Sequence, residues 1–168
     1  MTTSTTLLLN ARQIEQRINR IAYEIYEDNF DEKEIIIAGI ANSGFIFAKQ
    51  LEKVINHICD LKTQLVKLTL DKENPVLNSL QPAFTKDALK NKVVIVVDDV
   101  LNSGKTLIYS LRPFLEADIK KMRTVLLVNR DHKRYPVEAD FVGITLSTAL
   151  QEHVTVTLEP GKESVYIS

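Results

Sequence analysis

The run of five consecutive apolar residues at positions 93–97, VVIVV, constrains the fold of this chain most strongly. A strand that is apolar on both faces has to be covered on both faces, which is typical of a parallel sheet between layers of helices. The segments Glu34 to Ile40 and Thr124 to Val128 are also apolar and rich in β-branched residues. We therefore predict an α/β fold with a parallel, twisted sheet and helices on both faces.

Apolar residues at helical spacing predict the helices between these strands. Asn10 and Gln13 resemble a capping box, which places the first helix at about residues 10–29. A second helix is expected after the turn Ala41 to Gly44, and a third extends from Leu107 to Leu115. Further strands are predicted at Thr63 to Leu70, at Lys92 to Val97 and, in the last forty residues, in the segments ADFVGI, VTVTLEP and SVYIS.

In two segments the apolar residues show neither helical nor strand periodicity. The residues before Asn10 are expected to be disordered, as chain termini often are. The segment Asp71 to Thr85 contains two prolines and two asparagines, and it is predicted to be a long exposed loop of the kind that serves as a functional lid. No repeat or low-complexity linker divides the chain, so residues 1–168 are expected to form a single domain.

Composition limits the classes of function. With 45% apolar and 26% charged residues and a net charge of −1, the chain is expected to be globular, without a strong positive field for nucleic acid or membranes. A single cysteine, Cys59, excludes an internal disulfide and is interpreted as a buried structural thiol. The N-terminal stretch is too short for a signal peptide core or a membrane span, and the protein is expected to be cytoplasmic.

The candidate chemistry lies in residues 98–106. Asp98 and Asp99 are adjacent carboxylates at a strand end, where sugar hydroxyls and a nearby Mg²⁺ would satisfy them. Asn102, Ser103, Gly104, Lys105 and Thr106 then form a small polar loop that opens a helix. Backbone amides at a helix N-terminus bind phosphate. The combination predicts a site for a ribose 5-phosphate.

Three other interpretations of this segment are open. The letters SGKT resemble a nucleotide-binding P-loop, but Asp99 occupies the position where that motif requires its first glycine. A phospho-acceptor domain would need further carboxylates after the first strand, where Asn42 and Ser43 stand instead. A third interpretation is an acid pair and a helix cap that are only solvated.

The stretch VVIVVDDVLNSGKT resembles the phosphoribosyl-pyrophosphate motif of type I phosphoribosyltransferases. The similarity extends over most of the chain, through INRIAYEIYE, GIANSGFIFAKQL and LLVNRDHKRYPVEADFVG, and is closest to the pyrimidine operon attenuator group, which has uracil phosphoribosyltransferase activity. This resemblance implies the type I fold with a small hood and a long flap, the substrates phosphoribosyl pyrophosphate and a nucleobase, Mg²⁺, and a homodimer or larger homo-oligomer.

The resemblance also implies roles for individual segments. Asp98 and Asp99 would bind the ribose hydroxyls and the metal, and residues 102–106 the 5-phosphate. Asn42, Ser43 and Gly44 would form the pyrophosphate loop, with residues 71–85 as the flap. Residues 129–136 would belong to the hood around the base, where Arg130 is the candidate catalytic cation and Arg134 a substrate-binding one.

The chain departs from the family pattern at three places. Purine-specific relatives have an aspartate general base where Asn102 stands, which argues against purine chemistry. The attenuator group usually has an arginine where Ser43 stands, and its flap usually has an Arg-Asp-Asp cluster where this chain reads Asp71-Lys72-Glu73.

The leading hypothesis is a transferase that makes UMP from uracil. One alternative is a pyrimidine-sensing attenuator with weak or no catalysis that binds RNA through the basic groups Arg12, Arg17 and Arg20 or Lys120, Lys121 and Arg123. We disfavour RNA as a partner because interleaved glutamates make a solvated charged face the simpler interpretation. A hypoxanthine or guanine phosphoribosyltransferase is the second alternative.

Overall fold

A computed structural model of the chain describes residues 5–71, 77–149 and 151–168. The helices within these ranges are α1 (Ala11–Asp28), α2 (Ser43–Ile58), α3 (Lys86–Leu89) and α4 (Lys105–Leu115). The strands are β1 (Thr6–Leu9), β2 (Glu34–Ile40), β3 (Lys62–Leu70), β4 (Leu77–Gln81), β5 (Val93–Leu101), β6 (Lys121–Asn129), β7 (Phe141–Thr145), β8 (Val154–Thr157) and β9 (Ser164–Ile167).

The strands form two sheets. The main sheet has the order β4-β3-β2-β5-β6-β7, and all of its neighbouring strands are parallel except for the antiparallel pair of β3 and β4. A smaller antiparallel sheet has the order β1-β9-β8. The predicted α/β fold with a mostly parallel sheet is therefore confirmed.

Alternate residues of the central strands separate the core into two layers. In β5, Ile95 and Val97 pack in one apolar cluster with residues of α1 and α2, and Val94 and Val96 pack in another with residues of α3 and α4. Residues of β2 and β6 divide in the same way. The apolar run 93–97 is thus covered on both faces, as its composition predicts.

The first helix begins where the capping box predicts. Asn10 Oδ1 accepts a hydrogen bond from the backbone N–H of Gln13 at 2.9 Å, and Gln13 Oε1 accepts one from the backbone N–H of Asn10 at 2.9 Å. One face of α1 is buried, through Ile14, Ile18, Ile21, Ala22 and Ile25. This face lies in the same apolar cluster as α2 and the main sheet.

The prediction of disorder before Asn10 is wrong for residues 6–9. These residues form β1 and pair with β9, and Leu9 is buried in the core. Three consecutive leucines give no alternating pattern, so the strand could not be recognised from periodicity. Backbone pairing with the last strand of the chain, far away in sequence, is what orders it.

The long loop predicted at residues 71–85 is also corrected in part. Residues 77–81 form β4, which pairs with the edge of β3 that faces away from β2. Residues 72–76 lie outside the described residues. An edge strand gains its hydrogen bonds from the neighbouring backbone, so the sequence need not show an apolar alternation.

Two side chains are less buried than predicted. Leu115, assigned to the core face of the third helix, is 68% exposed, and Phe114 is buried in its place. Cys59 caps the end of α2 and is half-buried, with its Sγ 3.3 Å from the carbonyl oxygen of Ile55.

Candidate active site

The candidate site lies at the point where the strand order reverses. Neighbouring strands β2 and β5 are followed along the chain by segments that extend the sheet in opposite directions, β3 on one side and β6 on the other. In sheets of this kind, ligands bind beyond the carboxyl ends of the strands at such a switch point. The turn at residues 41–44 follows β2, and Asp98 and Asp99 lie in the last part of β5.

The acid pair lies within the strand rather than beyond it. The sequence predicts that the strand ends at Val97, but β5 continues to Leu101 because β6 stays paired with it as far as Leu101 and Asn129. Asp98 is only 9% exposed, and its Oδ1 accepts a hydrogen bond from the backbone N–H of Asp99 at 2.9 Å. Asp98 is thereby fixed by the strand, and Asp99 is half-buried beside it.

Gly44 brings the two predicted motifs into contact. A Cβ atom at Gly44 would lie 2.9 Å from Asp98 Oδ1 and 2.9 Å from the carbonyl oxygen of Val97. Only a residue without a side chain permits this approach. The turn after β2 therefore packs directly against the acid pair, as the sequence predicts for two loops at one edge of the sheet.

The turn itself leads straight into a helix. The sequence places Ala41 to Gly44 in a turn, whereas α2 already begins at Ser43, and the Ala41–Asn42 peptide bond is cis. Asn42 is the exposed N-cap residue, and its side chain makes no capping hydrogen bond. The first backbone N–H groups of a helix have no partner within that helix, and they form the positive end of its dipole. An anion is therefore favoured beside Asn42 and Ser43.

The second loop has the geometry of a phosphate cradle. Gly104 has a left-handed φ of 85° and is the N-cap of α4, which has no side-chain cap. Ser103 Oγ accepts a hydrogen bond from the backbone N–H of Lys105 at 3.2 Å. Helix N-termini of this kind bind phosphate through their backbone amides. Ser103 and Thr106, both half-buried, stand beside these amides, as predicted.

A cleft joins the acid pair to this loop. It is lined by Asp98, Asp99, Val100, Leu101, Asn102, Ser103, Gly104, Thr106, Leu107, Val154 and Val156. Val154 and Val156 belong to β8, so the small sheet forms one wall of the cleft, and no motif in the sequence points to these two residues. The alternating letters VTVT were the available signal, because residues two apart in a strand face the same side.

Arg130 does not line the cleft within the part of the chain that the structure describes. Its Nη1 donates to Asn102 Oδ1 at 2.9 Å, its Nε donates to Thr148 Oγ1 at 3.3 Å, and its Nη2 donates to the carbonyl oxygen of Glu152. The guanidinium thus connects Asn102 to Thr148 and Glu152, which precede β8. These contacts, and the partners Thr148 and Glu152, could not be read from the sequence.

Arg134 is also outside the cleft lining. It is exposed, and its backbone N–H donates to the carbonyl oxygen of Ser103 at 2.8 Å, as does the N–H of Tyr135 at 3.1 Å. The segment 129–136, predicted to belong to the hood, thus contacts the loop at residues 102–104 through its backbone after β6 ends at Asn129.

Several basic groups proposed for RNA are engaged in ion pairs. Lys121 and Arg123 both contact Asp28, and Lys120 pairs with Glu32. Burial raises the pKa of the Asp28 carboxyl, but hydrogen bonds from Arg123 and Lys121 outweigh burial and hold the pKa below its ordinary value. In α1, Arg20 donates to Glu24 and to the carbonyl oxygens of Val142 and Gly143.

The described residues contain no group of three or more His, Cys, Asp or Glu side chains that could hold a metal by itself. Mg²⁺ commonly binds through one or two carboxylates and completes its shell with substrate phosphates and water. The pair Asp98 and Asp99, next to the loop with the geometry of a phosphate cradle, fits this mode of binding.

None of the helices in the described ranges is long and apolar enough to cross a membrane.

Comparison with known families agrees with this geometry. Residues 4–159 match the family described as the phosphoribosyl transferase domain. The chain is 32% identical to the bifunctional protein PyrR of Haemophilus ducreyi, over 91% of this chain and 89% of that protein. It is 35% identical to the bifunctional protein PyrR of Staphylococcus epidermidis, over 93% of each chain.

Solved structures show the same fold. The hypoxanthine phosphoribosyltransferase of Trypanosoma cruzi superimposes with a TM-score of 0.78 at 16% identity, covering 96% of this chain and 95% of that one. A hypoxanthine-guanine phosphoribosyltransferase from Bacillus anthracis gives a TM-score of 0.72 at 20% identity, covering 83% and 81%. At these identities the likeness concerns the fold and does not extend to the base.

Proposed function

The chain belongs to the phosphoribosyl transferase domain family and is a type I phosphoribosyltransferase, and we propose that it transfers ribose 5-phosphate from phosphoribosyl pyrophosphate to uracil. The products are UMP and pyrophosphate. The close approach of Gly44 to Asp98 carries the proposal, because it brings the start of α2 against the acid pair of the strand that leads into α4.

Each segment has one part in the proposed reaction. Residues 102–106 bind the 5-phosphate through the start of α4, and Asp98 and Asp99 hold the ribose hydroxyls. Residues 42–44 bind the pyrophosphate at the start of α2. The ribose is then held between two anion sites, so its anomeric carbon lies between the leaving group and the base.

Mg²⁺ is the proposed cofactor. Asp98 and Asp99 would hold it together with oxygens of the substrate, and the ion supplies positive charge for the departing pyrophosphate. The flap, for which residues 71–85 are proposed, would exclude water that could hydrolyse the activated sugar.

Uracil is proposed as the base on the strength of Asn102. An amide cannot accept a proton from a purine ring as a carboxylate can, and Asn102 Oδ1 already accepts a hydrogen bond from Arg130. Arg130 was predicted to be catalytic, and its contacts favour a positioning role for it. Arg134 remains a proposed substrate-binding residue at the rim.

The test is pyrophosphate release by the pure protein with Mg²⁺, phosphoribosyl pyrophosphate and one base at a time. We expect release with uracil that is lost in Asp99→Asn, since the amide removes the charge that grips the ribose and the metal. Release that is faster with a purine, or that is unchanged in Asp99→Asn, would contradict the proposal.

A second candidate function is pyrimidine-responsive RNA binding, which the resemblance to the attenuator group suggests and which would give this chain two functions, as the relatives called bifunctional protein PyrR have. The ion pairs of Lys120, Lys121 and Arg123 argue against those groups as the RNA contact. Binding through phosphates weakens steeply with salt. Tight, salt-dependent binding of a 5′ leader RNA would support this function, and its absence at low salt would remove it.

The proposal treats residues 1–168 as one phosphoribosyltransferase domain, and the family match over residues 4–159 supports this. A homodimer or larger homo-oligomer and a cytoplasmic location complete it. The location rests on the single cysteine, Cys59, which cannot form an internal disulfide.

A further inference from the structure

The pyrophosphate loop of this chain contains no cation of its own. Asn42 and Ser43 are neutral, and Gly44 packs against the carboxylate of Asp98. An anion bound at the start of α2 would thus lie next to one negative charge and close to a second, that of Asp99. Besides the proposed Mg²⁺, the helix dipole and the backbone amides supply only a fraction of a charge, so a cation from a neighbouring element would strengthen the binding of this group.

Two lysine ammonium groups lie over the ring of Phe45, the residue that follows this loop. Lys67 Nζ lies 5.7 Å from the centre of the Phe45 ring, and Lys49 Nζ lies 4.8 Å from it. An aromatic face attracts a cation at these distances. Lys49 is exposed on α2, one turn after Phe45, whereas Lys67 is half-buried and comes from a different element, β3.

The sheet register places Lys67 beside the loop. Lys67 pairs with Gly39, and Phe45 lies directly over Gly39, since a Cβ there would be 2.6 Å from Phe45 Cα. The next residue of β3, Leu68, accepts a hydrogen bond at its carbonyl oxygen from the N–H of Ala41 at 2.8 Å. Lys67 therefore stands next to the end of β2, where the pyrophosphate loop begins.

The Lys67 ammonium is not paired with a carboxylate in the part of the chain that the structure describes. It differs in this from Lys92, Lys120, Lys121 and Lys133, which all form such ion pairs. Among the described residues, the half-buried Lys67 ammonium is placed over the Phe45 ring and is not neutralised by a carboxylate, so its charge is available to an incoming phosphate.

We propose that Lys67 binds the pyrophosphate group of phosphoribosyl pyrophosphate and supplies, from β3, the cation that the loop at residues 42–44 lacks. This inference rests on the proposed function, because it takes that loop as the pyrophosphate site. Lysine offers a point charge on a flexible stem, so it can follow the group as it leaves without the fixed geometry of an arginine.

The test compares the affinity for a ligand that carries pyrophosphate with the affinity for one that does not. Dissociation constants for phosphoribosyl pyrophosphate and for UMP, each with Mg²⁺, are measured by calorimetry for the wild type, Lys67→Met and Lys67→Arg. Lys53→Met, an exposed lysine on α2, is the matched control. Methionine keeps most of the apolar stem and removes the charge.

We expect Lys67→Met to weaken binding of phosphoribosyl pyrophosphate by about tenfold, the loss of one charge-assisted contact, while UMP binding changes by less than about twofold. Lys67→Arg and Lys53→Met should keep near wild-type affinities. Unchanged binding of phosphoribosyl pyrophosphate in Lys67→Met, or an equal loss for UMP, would overturn the proposal. Failure of the proposed transfer would appear separately, as a wild type that releases no pyrophosphate with any base.

Discussion

Gly44 is the residue at which the two halves of the site touch, so it is the most sensitive position for a small substitution. In Gly44→Ala, the new methyl group would meet Asp98 Oδ1 and the Val97 carbonyl oxygen at 2.9 Å each. Because both contacts are with a buried strand, we expect a loss of about 1–3 kcal/mol in the free energy of unfolding, measured by urea denaturation. Affinity for phosphoribosyl pyrophosphate should fall as well.

The matched control for this substitution is Gly161→Ala. Gly161 also resists a side chain, through its φ of 82°, but nothing lies within 4 Å of its Cβ position and it does not line the cleft. We expect it to lower stability by about 1 kcal/mol and to leave ligand affinity unchanged. Equal effects of the two variants on affinity would mean that Gly44 acts only through stability.

Arg130 and Asn102 should act as a unit, since one hydrogen bond of 2.9 Å joins them across the phosphate loop. We expect Arg130→Met and Asn102→Ala each to weaken UMP binding several-fold. The double variant should lose less binding free energy than the sum of the two single losses, and the difference, the coupling energy, should be about 0.5–2 kcal/mol. Calorimetric titration of UMP against the four proteins measures this. Arg112→Met, at an exposed arginine on α4, controls for loss of charge.

Full additivity of the two changes would show that Arg130 does not act through Asn102. The sequence marks both residues as part of the site because of their types and their place in the motifs. It could not show that they bind each other, because the hydrogen bond depends on how the loop after β6 folds back over the loop after β5.

The sequence gives no sign that β1 is an ordered strand. Substitutions on its buried face and on its exposed face should have very different effects on stability. Leu9 is 2% exposed and lies in the core cluster, whereas Leu7 is 48% exposed. We expect Leu9→Ala to cost about 2–4 kcal/mol in the free energy of unfolding and Leu7→Ala less than about 0.5 kcal/mol. Chemical denaturation of both variants is the measurement, and similar values for the two would contradict the burial of β1.

The contact between the end of α1 and β6 predicts a pH dependence. Burial raises the pKa of Asp28, but Arg123 and Lys121 lower it further, to below the ordinary value of 3.8. The folded protein therefore holds the proton less tightly than the unfolded chain, so the stabilisation is complete above the unfolded pKa and is lost as pH falls through the folded one.

We accordingly expect Asp28→Asn to be less stable than the wild type by about 1 kcal/mol at pH 7, with the difference shrinking below about pH 4. Urea denaturation across this range measures it. Asp60→Asn, at an exposed aspartate, is the control for the loss of one carboxylate charge. A constant gap between Asp28→Asn and wild type at all pH values would contradict the role of the carboxylate charge.

Helices and strands with a clear apolar pattern were predictable from the sequence. Strands that are ordered by pairing with a strand far away in the sequence were not. The helix from Ala11 and the strands at Glu34 and Val93 carry their own signals in capping and in continuous apolar runs. By contrast, β1 and β4 are ordered by β9 and β3, and β5 continues through Asp98 and Asp99 because β6 pairs with it. Local sequence could not show any of these pairings.

At the scale of the whole molecule, the parallel sheet explains why the two motif loops lie side by side although they are far apart in sequence. The carboxyl ends of β2 and β5 meet at the switch point, and α2 and α4 each direct an N-terminus towards it. The small sheet then supplies Val154 and Val156 as a wall that no motif revealed. Hypoxanthine phosphoribosyltransferases share this fold, so the fold alone does not fix the base.

The most direct test of the central claim is a competition among bases. The protein is given Mg²⁺, limiting phosphoribosyl pyrophosphate and an equimolar mixture of uracil, hypoxanthine, guanine and adenine, and the nucleotides formed are identified by mass spectrometry. Our account predicts UMP as the main product, and no UMP from Asp99→Asn. A purine nucleotide as the main product, or no nucleotide at all from the wild type, would contradict it.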